Sequence, residues 1–333
     1  MPIPSGALRF NSDSGKLEYY NGEDWWQIDN FSADNATGGA RGVWAGGWRS
    51  PATPNTSNVM DYVTISTTGN AIDFGDLTTG KYGLGGCGST TRGLWGGGRT
   101  DPSPSTSFNI IDFITIASTG NTQDFGDLNI VSSYRAGCSS STRGLFSGGY
   151  TPTIVSDIEY VTIAQQGNAV DFGDLVTAVR FPGACSSATR GIIAGGETPT
   201  IINTINFVTI STLGNAADFG DLITARISFN GCSNSVRGIF AGGRTPTFVN
   251  VIDYITMAAL GNAVDFGDLN NAVNSSGSFS SPTRGVWAGG DTPTKINTID
   301  YVTIMSTGNA IDFGDLTQAR EAPGGLSNAH GGL

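Results

Sequence analysis

One histidine, four cysteines, six D-F-G-D segments and six arginines each followed by glycine are the groups in this 333-residue chain whose types and spacing could do chemistry. His330 stands alone, among Gly324, Gly325, Gly331 and Gly332. Repeated metal–histidine sites and a buried Ser-His-Asp triad both need histidines that the chain does not supply. A pair of carboxylates acting on a glycosidic bond stays open, because Asp and Glu together number 28. Most carboxylates recur at equivalent places, however, and a catalytic centre breaks repeat symmetry. The expectation is a protein that is not an enzyme, with no catalytic residue, no cofactor and no metal site.

The other sets gain meaning from where they recur. Cys87, Cys138, Cys185 and Cys232 each lie five residues before a repeated arginine, and the next two equivalents are Phe279 and Leu326. A place that accepts Cys, Phe or Leu reads as a buried apolar slot, since free cysteine behaves as a small hydrophobe. Disulfides or metal ligation are the alternatives, and the redox compartment stays undetermined. The D-F-G-D segments open at Asp73, Asp124, Asp171, Asp218, Asp265 and Asp312. Their phenylalanine is expected to pack between units, their glycine to permit a bend and their carboxylates to cap backbone N–H groups. Calcium at each D-x-x-D is the alternative, although two carboxylates fall short of its usual set of about six to eight oxygens. Arg41, Arg92, Arg143, Arg190, Arg237 and Arg284 are expected to hold carbonyls or an Asp of the neighbouring unit through their planar fork. A ligand-binding ring is the other reading of those arginines.

A repeated element must position these groups. The aspartates are spaced by 51 residues once and then by 47 four times, a period typical of supersecondary units stacked in an array. In the third copy, Gly137 to Ser139, Gly144 to Ser147, Glu159 to Ile163 and Val170 to Leu175 read as strands, with Gly167-Asn168 turning between the last two. No stretch sustains a helical hydrophobic period, so almost no helix is expected. Four antiparallel strands in a unit of this size make a propeller blade. Each D-F-G-D aspartate precedes the next repeat arginine by 19 residues, and the same step from Asp312 lands on Gly331. Pro323 to Asn328 therefore reads as the first strand of a further unit, whereas Ala33-Asp34-Asn35-Ala36, ahead of Arg41, matches such a strand poorly. The predicted fold is an all-β, six-bladed β-propeller over residues 32–333. Its blades are four-stranded and antiparallel, and the C-terminal strand closes the first blade, leaving no free edge in the ring.

Composition sets further bounds. Glycine, at 49 residues, suits a turn-rich β-fold. A net charge of −11 argues against a nucleic-acid partner, which needs clustered Lys and Arg. No apolar run approaches a membrane span and no signal peptide opens the chain, so no membrane partner is expected.

The double glycine after the second strand, the aromatic third strand and an aromatic in the fourth resemble kelch repeats. Kelch blades usually carry Trp in the fourth strand, where this chain has Phe74, Phe125, Phe172, Phe219, Phe266 and Phe313. The wording V-T-I-x-S-T-G-N-A-x-D-F-G-D-L resembles repeats of virion structural proteins of marine tailed phages. D-F-G also occurs in protein kinases, but here it comes without a nucleotide loop, V-A-I-K or H-R-D. The histidines of kelch-based copper oxidases and the S-x-D-x-G-x-T-W box of sialidases are absent too.

Comparing the copies separates two faces. Links between the first and second strands, and between the third and fourth, are nearly uniform. Links between the second and third strands, and from the fourth strand to the next unit, vary. Trp48, Arg99, Tyr150, Glu197, Arg244 and Asp291 follow the double glycines, and the second set of links adds Tyr82, Tyr134, Arg135, Arg180, Phe181, Arg226, Phe229 and Arg320. Aromatics with Arg and acids on rigidly held loops suit glycan or protein recognition; drift in solvent-exposed loops is the other reading. The predicted ligand face is Trp48, Arg99, Tyr150, Glu197, Arg244, Asp291, Tyr82 and Phe181.

Residues 1–31 are not a repeat. They read as a three-stranded β-meander turned at Asp13-Ser14-Gly15 and Asn21-Gly22, too small to stand alone. G-x-L-R-F-N-S-D-S-x-K-L-E-Y-Y-N-G-x-x-W resembles short attachment or trimer modules of phage tail-fibre proteins. That resemblance implies attachment to other virion proteins, or homo-oligomerisation, through Phe10, Tyr19, Tyr20, Trp25 and Trp26; a cap packed on the propeller is the alternative. Together the two resemblances imply a virion component of a phage tail or tail fibre that presents its propeller to a host-surface glycan or protein. A purely structural decoration or spacer, and a glycan-cleaving propeller enzyme, are the competing expectations.

Overall fold

The computed structural model describes residues 4, 6–11, 16–27, 40–49, 51–52, 54–101 and 106–333. The Asp13-Ser14-Gly15 turn, Ile28 and Ala33–Ala36 lie outside the described residues. All regular elements among the described residues are β-strands. The third repeat shows the plan: Ala136–Ser139, Arg143–Ser147, Asp157–Thr162 and Val170–Asp174 lie side by side, antiparallel and in chain order. Five repeats build such a sheet from one continuous segment. The remaining sheet takes its strands from both ends of the repeat region. Gly324–Ser327 pairs antiparallel with Arg41–Ala45, placing Gly324 opposite Ala45 and Ser327 opposite Gly42; Val59–Thr64 and Ile72–Asp76 follow. The architecture is propeller-like: the first strand of each sheet packs beside its counterpart in the next, and Gly324–Ser327 packs beside Gly85–Gly88.

Four repeated contacts fasten one sheet to the next, and each uses a residue that the sequence repeats. The first is steric. A Cβ on Gly144 would lie 2.6 Å from the Cys87 sulfur of the preceding sheet, and Gly191, Gly238 and Gly285 meet Cys138, Cys185 and Cys232 in the same way. Gly42 meets Phe279 and Gly93 meets Leu326. The cysteine slot is thus a buried knob on the glycine after each repeat arginine, and all four thiols are free and buried. Burial pushes the Cys138 thiol up to about 12, and the other three also well up. They are packing groups, not nucleophiles.

The second contact is the arginine. Arg92 donates to the carbonyls of Ile163 (3.1 Å) and Ala164 (2.9 Å) in the next sheet, and Arg284 donates to Ile65 O at 2.9 Å. Each guanidinium also lies over an aromatic ring of its own third strand, from Arg237 over Tyr254 at 4.6 Å to Arg92 over Phe113 at 5.2 Å. That ring meets the D-F-G-D phenylalanine edge-on, as in Tyr62–Phe74 at 5.7 Å.

The third contact explains D-F-G-D together with G-N. The segment carries a β-bulge, with Gly126 at φ 145°, and the buried Phe125 is the unpaired residue. The turn of the next repeat then lies along the outer strand. Gly167 N–H donates to Phe125 O (2.9 Å), Ala169 N–H to Asp127 O (2.7 Å), and Asp127 N–H to Asn168 Oδ1 (3.0 Å). The cap at this place is therefore the asparagine, with the Asp contributing its backbone. Asp315 N–H likewise donates to Asn70 Oδ1 at 3.1 Å. Each outer edge is partly covered by its neighbour's turn.

The fourth contact lies on the inner strands. Ser186 Oγ donates to Ser139 O and Ser233 Oγ to Ser186 O, both at 2.7 Å, and the series continues through Ser280 and Ser327. The first repeat position is Gly88, and His330 fills the space. Its Nε2 is 2.9 Å from Gly88 O and 3.1 Å from Ser139 Oγ, while Nδ1 accepts from Gly332 N–H. The tail after Gly324–Ser327 thus closes this end of the axial channel.

Leu8–Asn11, Lys16–Tyr20 and Trp25–Gln27 form the expected three-stranded meander. Leu8, Tyr19 and Trp26 are cross-strand neighbours and exposed. On the opposite face Arg9 bonds Glu18 at 2.8 Å and covers Trp25, which packs on Tyr20. The register sets Phe10 opposite Leu17.

Candidate ligand-binding face

The varied links meet at one end of the axis. Each residue after a double glycine is bridged to the link entering its own sheet: Trp48 to Glu321, Arg99 to Tyr82, Tyr150 to Ser133, Glu197 to Arg180, Arg244 to Ile227 and Asp291 to Asn274. Repeats three to six add a two-stranded ribbon, such as Tyr150–Thr151 with Thr153–Ile154. These positions are consequently held by backbone pairing. Of the eight residues singled out from the sequence, Arg244 is exposed and the others are half-buried.

Nearest the axis, Gly83, Tyr134, Phe181, Ser228, Ser275 and Ala322 occupy equivalent places, all with φ between 52° and 67°. Their N–H groups point around the axis. Tyr134 donates to Gly83 O, Phe181 to Tyr134 O, Ser228 to Phe181 O, Ser275 to Ser228 O, Ala322 to Ser275 O and Gly83 to Ala322 O, at 2.6–3.2 Å. This left-handed conformation aims each amide along the series, and glycine adopts it most easily. The six residues surround a pocket that also involves Leu84, Arg135, Pro182, Phe229, Asn230 and Pro323.

Three of the predicted residues join Tyr134 in an aromatic arc. Ring centroids are 6.2 Å apart for Trp48–Tyr82, 6.0 Å for Tyr82–Tyr134 and 4.2 Å for Tyr134–Phe181. Cations flank the arc: Lys295 lies over Trp48 at 4.6 Å, Arg99 over Tyr134 at 5.7 Å and Arg180 over Phe181 at 5.4 Å. Arg180 also covers Tyr150 and pairs with Glu197 at 2.8 Å. Lys295 pairs with Asp291 at 3.1 Å and with Glu321 at 3.3 Å. Burial raises the Glu321 carboxyl despite that lysine, and burial with a hydrogen bond to Tyr82 raises the Tyr134 phenol.

Four residues placed on this face from the sequence do other work. Arg135, Arg226 and Arg320 are buried in ion pairs with Glu159, Asp253 and Asp61 at 3.0, 3.0 and 2.8 Å, and Phe229 packs against Phe240. Their partners occupy one position in the third strands, held by Asp61, Asp112, Glu159, Asn206, Asp253 and Asp300. Lys81 pairs with Asp112 at 2.8 Å. Asp300 accepts instead from Asn270 Nδ2 at 2.7 Å, and burial raises its carboxyl. Link charge alone does not separate a buried partner from a surface group. Lys295 and Glu321 were missed, although Lys295 was legible as the residue standing where other repeats have Ile154, Ile201 and Phe248.

His330 has no carboxylate among its hydrogen-bond partners. Among the described residues no cluster of three or more His, Cys, Asp or Glu is poised around a metal-sized space. Comparison of the chain with models of known protein families finds no match, and comparison with curated proteins finds none either.

Proposed function

We propose that this chain is a non-enzymatic virion component of a tailed phage, carried on the tail or a tail fibre. In this reading it is a kelch-like propeller of six blades whose varied face binds a host-surface glycan or protein. Six blades are supported by fastenings that return to the start: Ala322 to Gly83, Arg284 to Ile65 and Asp315 to Asn70. Residues 1–31 dock to other virion proteins or to copies of the chain, for which the exposed row Leu8–Tyr19–Trp26 is suited. The observation that carries the binding role is the division of labour. Repeated residues are consumed in holding sheet to sheet, while the residues that differ converge on one end of the axis and build an aromatic arc there.

A structural spacer is the second reading, favoured by the ion pairs Arg180–Glu197 and Lys295–Glu321, which already satisfy part of that face. Binding of the fluorescently labelled full chain to host cells separates the two. Cell binding that is lost in a Trp48→Ala, Tyr150→Ala, Arg244→Ala triple variant is expected. Absence of binding, or binding that survives the triple substitution, sinks the receptor role.

A further inference from the structure

Resting on that binding role, we infer that the axial pocket seats a neutral pyranose ring, and that the oligosaccharide carrying it runs outward over Tyr82 and Trp48. The pocket wall is divided. Tyr134 and Phe181 form one side, and Ser228, Ser275 and Ala322 the other, with Asn230 beside them. The fold does not ask for aromatic rings at those places. Gly83 completes the same hydrogen-bond series without a side chain, and glycine is the unstrained choice for this backbone. Two adjacent repeats nevertheless hold large rings in a left-handed conformation, a strain that belongs with a use for the rings.

Charge selects the class of occupant. The pocket's formally charged side chain is Arg135, and it is committed to Glu159 and to Gly148 O at 2.7 Å. Within that lining an anionic sugar or a charged peptide finds no uncommitted cation; Arg99 lies over the Tyr134 ring rather than in the lining. An acyl chain would bury against hydrocarbon the Ser228 hydroxyl and the remaining hydrogen-bonding capacity of Ser275 and Asn230, which already donate to Asn274 Oδ1 and Ser276 O, and that is unfavourable. A neutral pyranose has an apolar C–H face for the aromatic wall and rim hydroxyls for the serines and the amide. From Tyr134 the arc continues to Tyr82 and Trp48, which offers further ring-sized surfaces for adjoining sugar units.

The test uses the full chain and a panel of short linear neutral glucose, galactose and mannose oligosaccharides at millimolar concentration, read by saturation-transfer NMR and calorimetry. Tyr134→Ser and Phe181→Ser place at these positions the residue that Ser228 and Ser275 already carry, so the backbone conformation is kept; thermal melts verify folding. Saturation transfer to at least one panel member is expected, with affinity falling about tenfold or more in the double variant and unchanged in Leu213→Ser, which alters an exposed residue of a third-to-fourth-strand turn. No transfer to any member, or equal affinity in the double variant, overturns the inference. Whole-cell binding measured in parallel keeps the two proposals apart: cells bound without saccharide binding defeats the pyranose site and leaves the receptor role standing, and absent cell binding defeats the receptor role.

Discussion

At position 144 the side chain is a hydrogen atom because Cys87 lies on it. Gly144→Ala forces a methyl group into space that sulfur occupies, and overpacking of this kind costs about 1–3 kcal/mol. The expected result is a lower denaturant midpoint with an unchanged slope, and partial recovery when Cys87→Ala is added. Recovery in the double variant is the signature of contact, since distant sites would simply add. The histidine carries a different signal. Gly332 N–H donates to Nδ1, so the ring proton sits on Nε2 and the imidazole is neutral. Burial lowers its pKa, and the thiols near it are pushed up and uncharged. A group with a depressed folded pKa gives stability that is present above its unfolded pKa, near 6.5, and is lost as pH falls through the folded value. Stability should therefore drop on acidification below about pH 6.5 more steeply in the native chain than in His330→Asn, as read from melting midpoints across pH.

The sheet built from Gly324–Ser327 and Arg41–Ala45 joins segments nearly the whole repeat region apart. Asn328 strengthens the join by accepting from Arg41 N–H at 2.8 Å, as Asn234 does for Arg237 within one repeat. Deleting residues 321–333 removes this strand, the Arg320-adjacent link and the channel plug together. Broad, non-cooperative melting by calorimetry is the expected outcome, and a transition as sharp as that of the native chain would contradict it. This pairing was legible because the 19-residue step is constant and Asp312 leaves room for one more inner strand. Less legible was the tie between D-F-G-D and the following G-N turn. Both look like local turn chemistry, and nothing in a single repeat says that their N–H and C=O groups meet across a sheet boundary. The same limit hid the left-handed ring: Tyr134 and Phe181 carry no sequence mark of positive φ, and only the equivalence with Gly83 hints at it.

Across the whole molecule, copies this similar face a hazard that single-copy folds do not: a strand can pair with the wrong sheet and find almost the right residues there. The buried acid position is filled in more than one way around the repeats. Asp61 has Arg320, Asp112 has Lys81, Glu159 has Arg135 and Asp253 has Arg226, whereas Asn206 follows a link with Val179. Removing one member of a buried pair costs about 3–5 kcal/mol, while replacing both by neutral groups is often tolerated. Arg226→Val alone should therefore destabilise the chain by about that amount, and Arg226→Val with Asp253→Asn, which copies the neighbouring repeat, should restore most of the loss in chemical denaturation. A charged third strand docked against the Val179 link, or the Asn206 strand docked against Arg226, would strand a charge in the interior. These ion pairs therefore do more than neutralise a core: they act as an address label for the Asn206 repeat, marking it off from its charged neighbours in a chain whose repeats are otherwise nearly interchangeable.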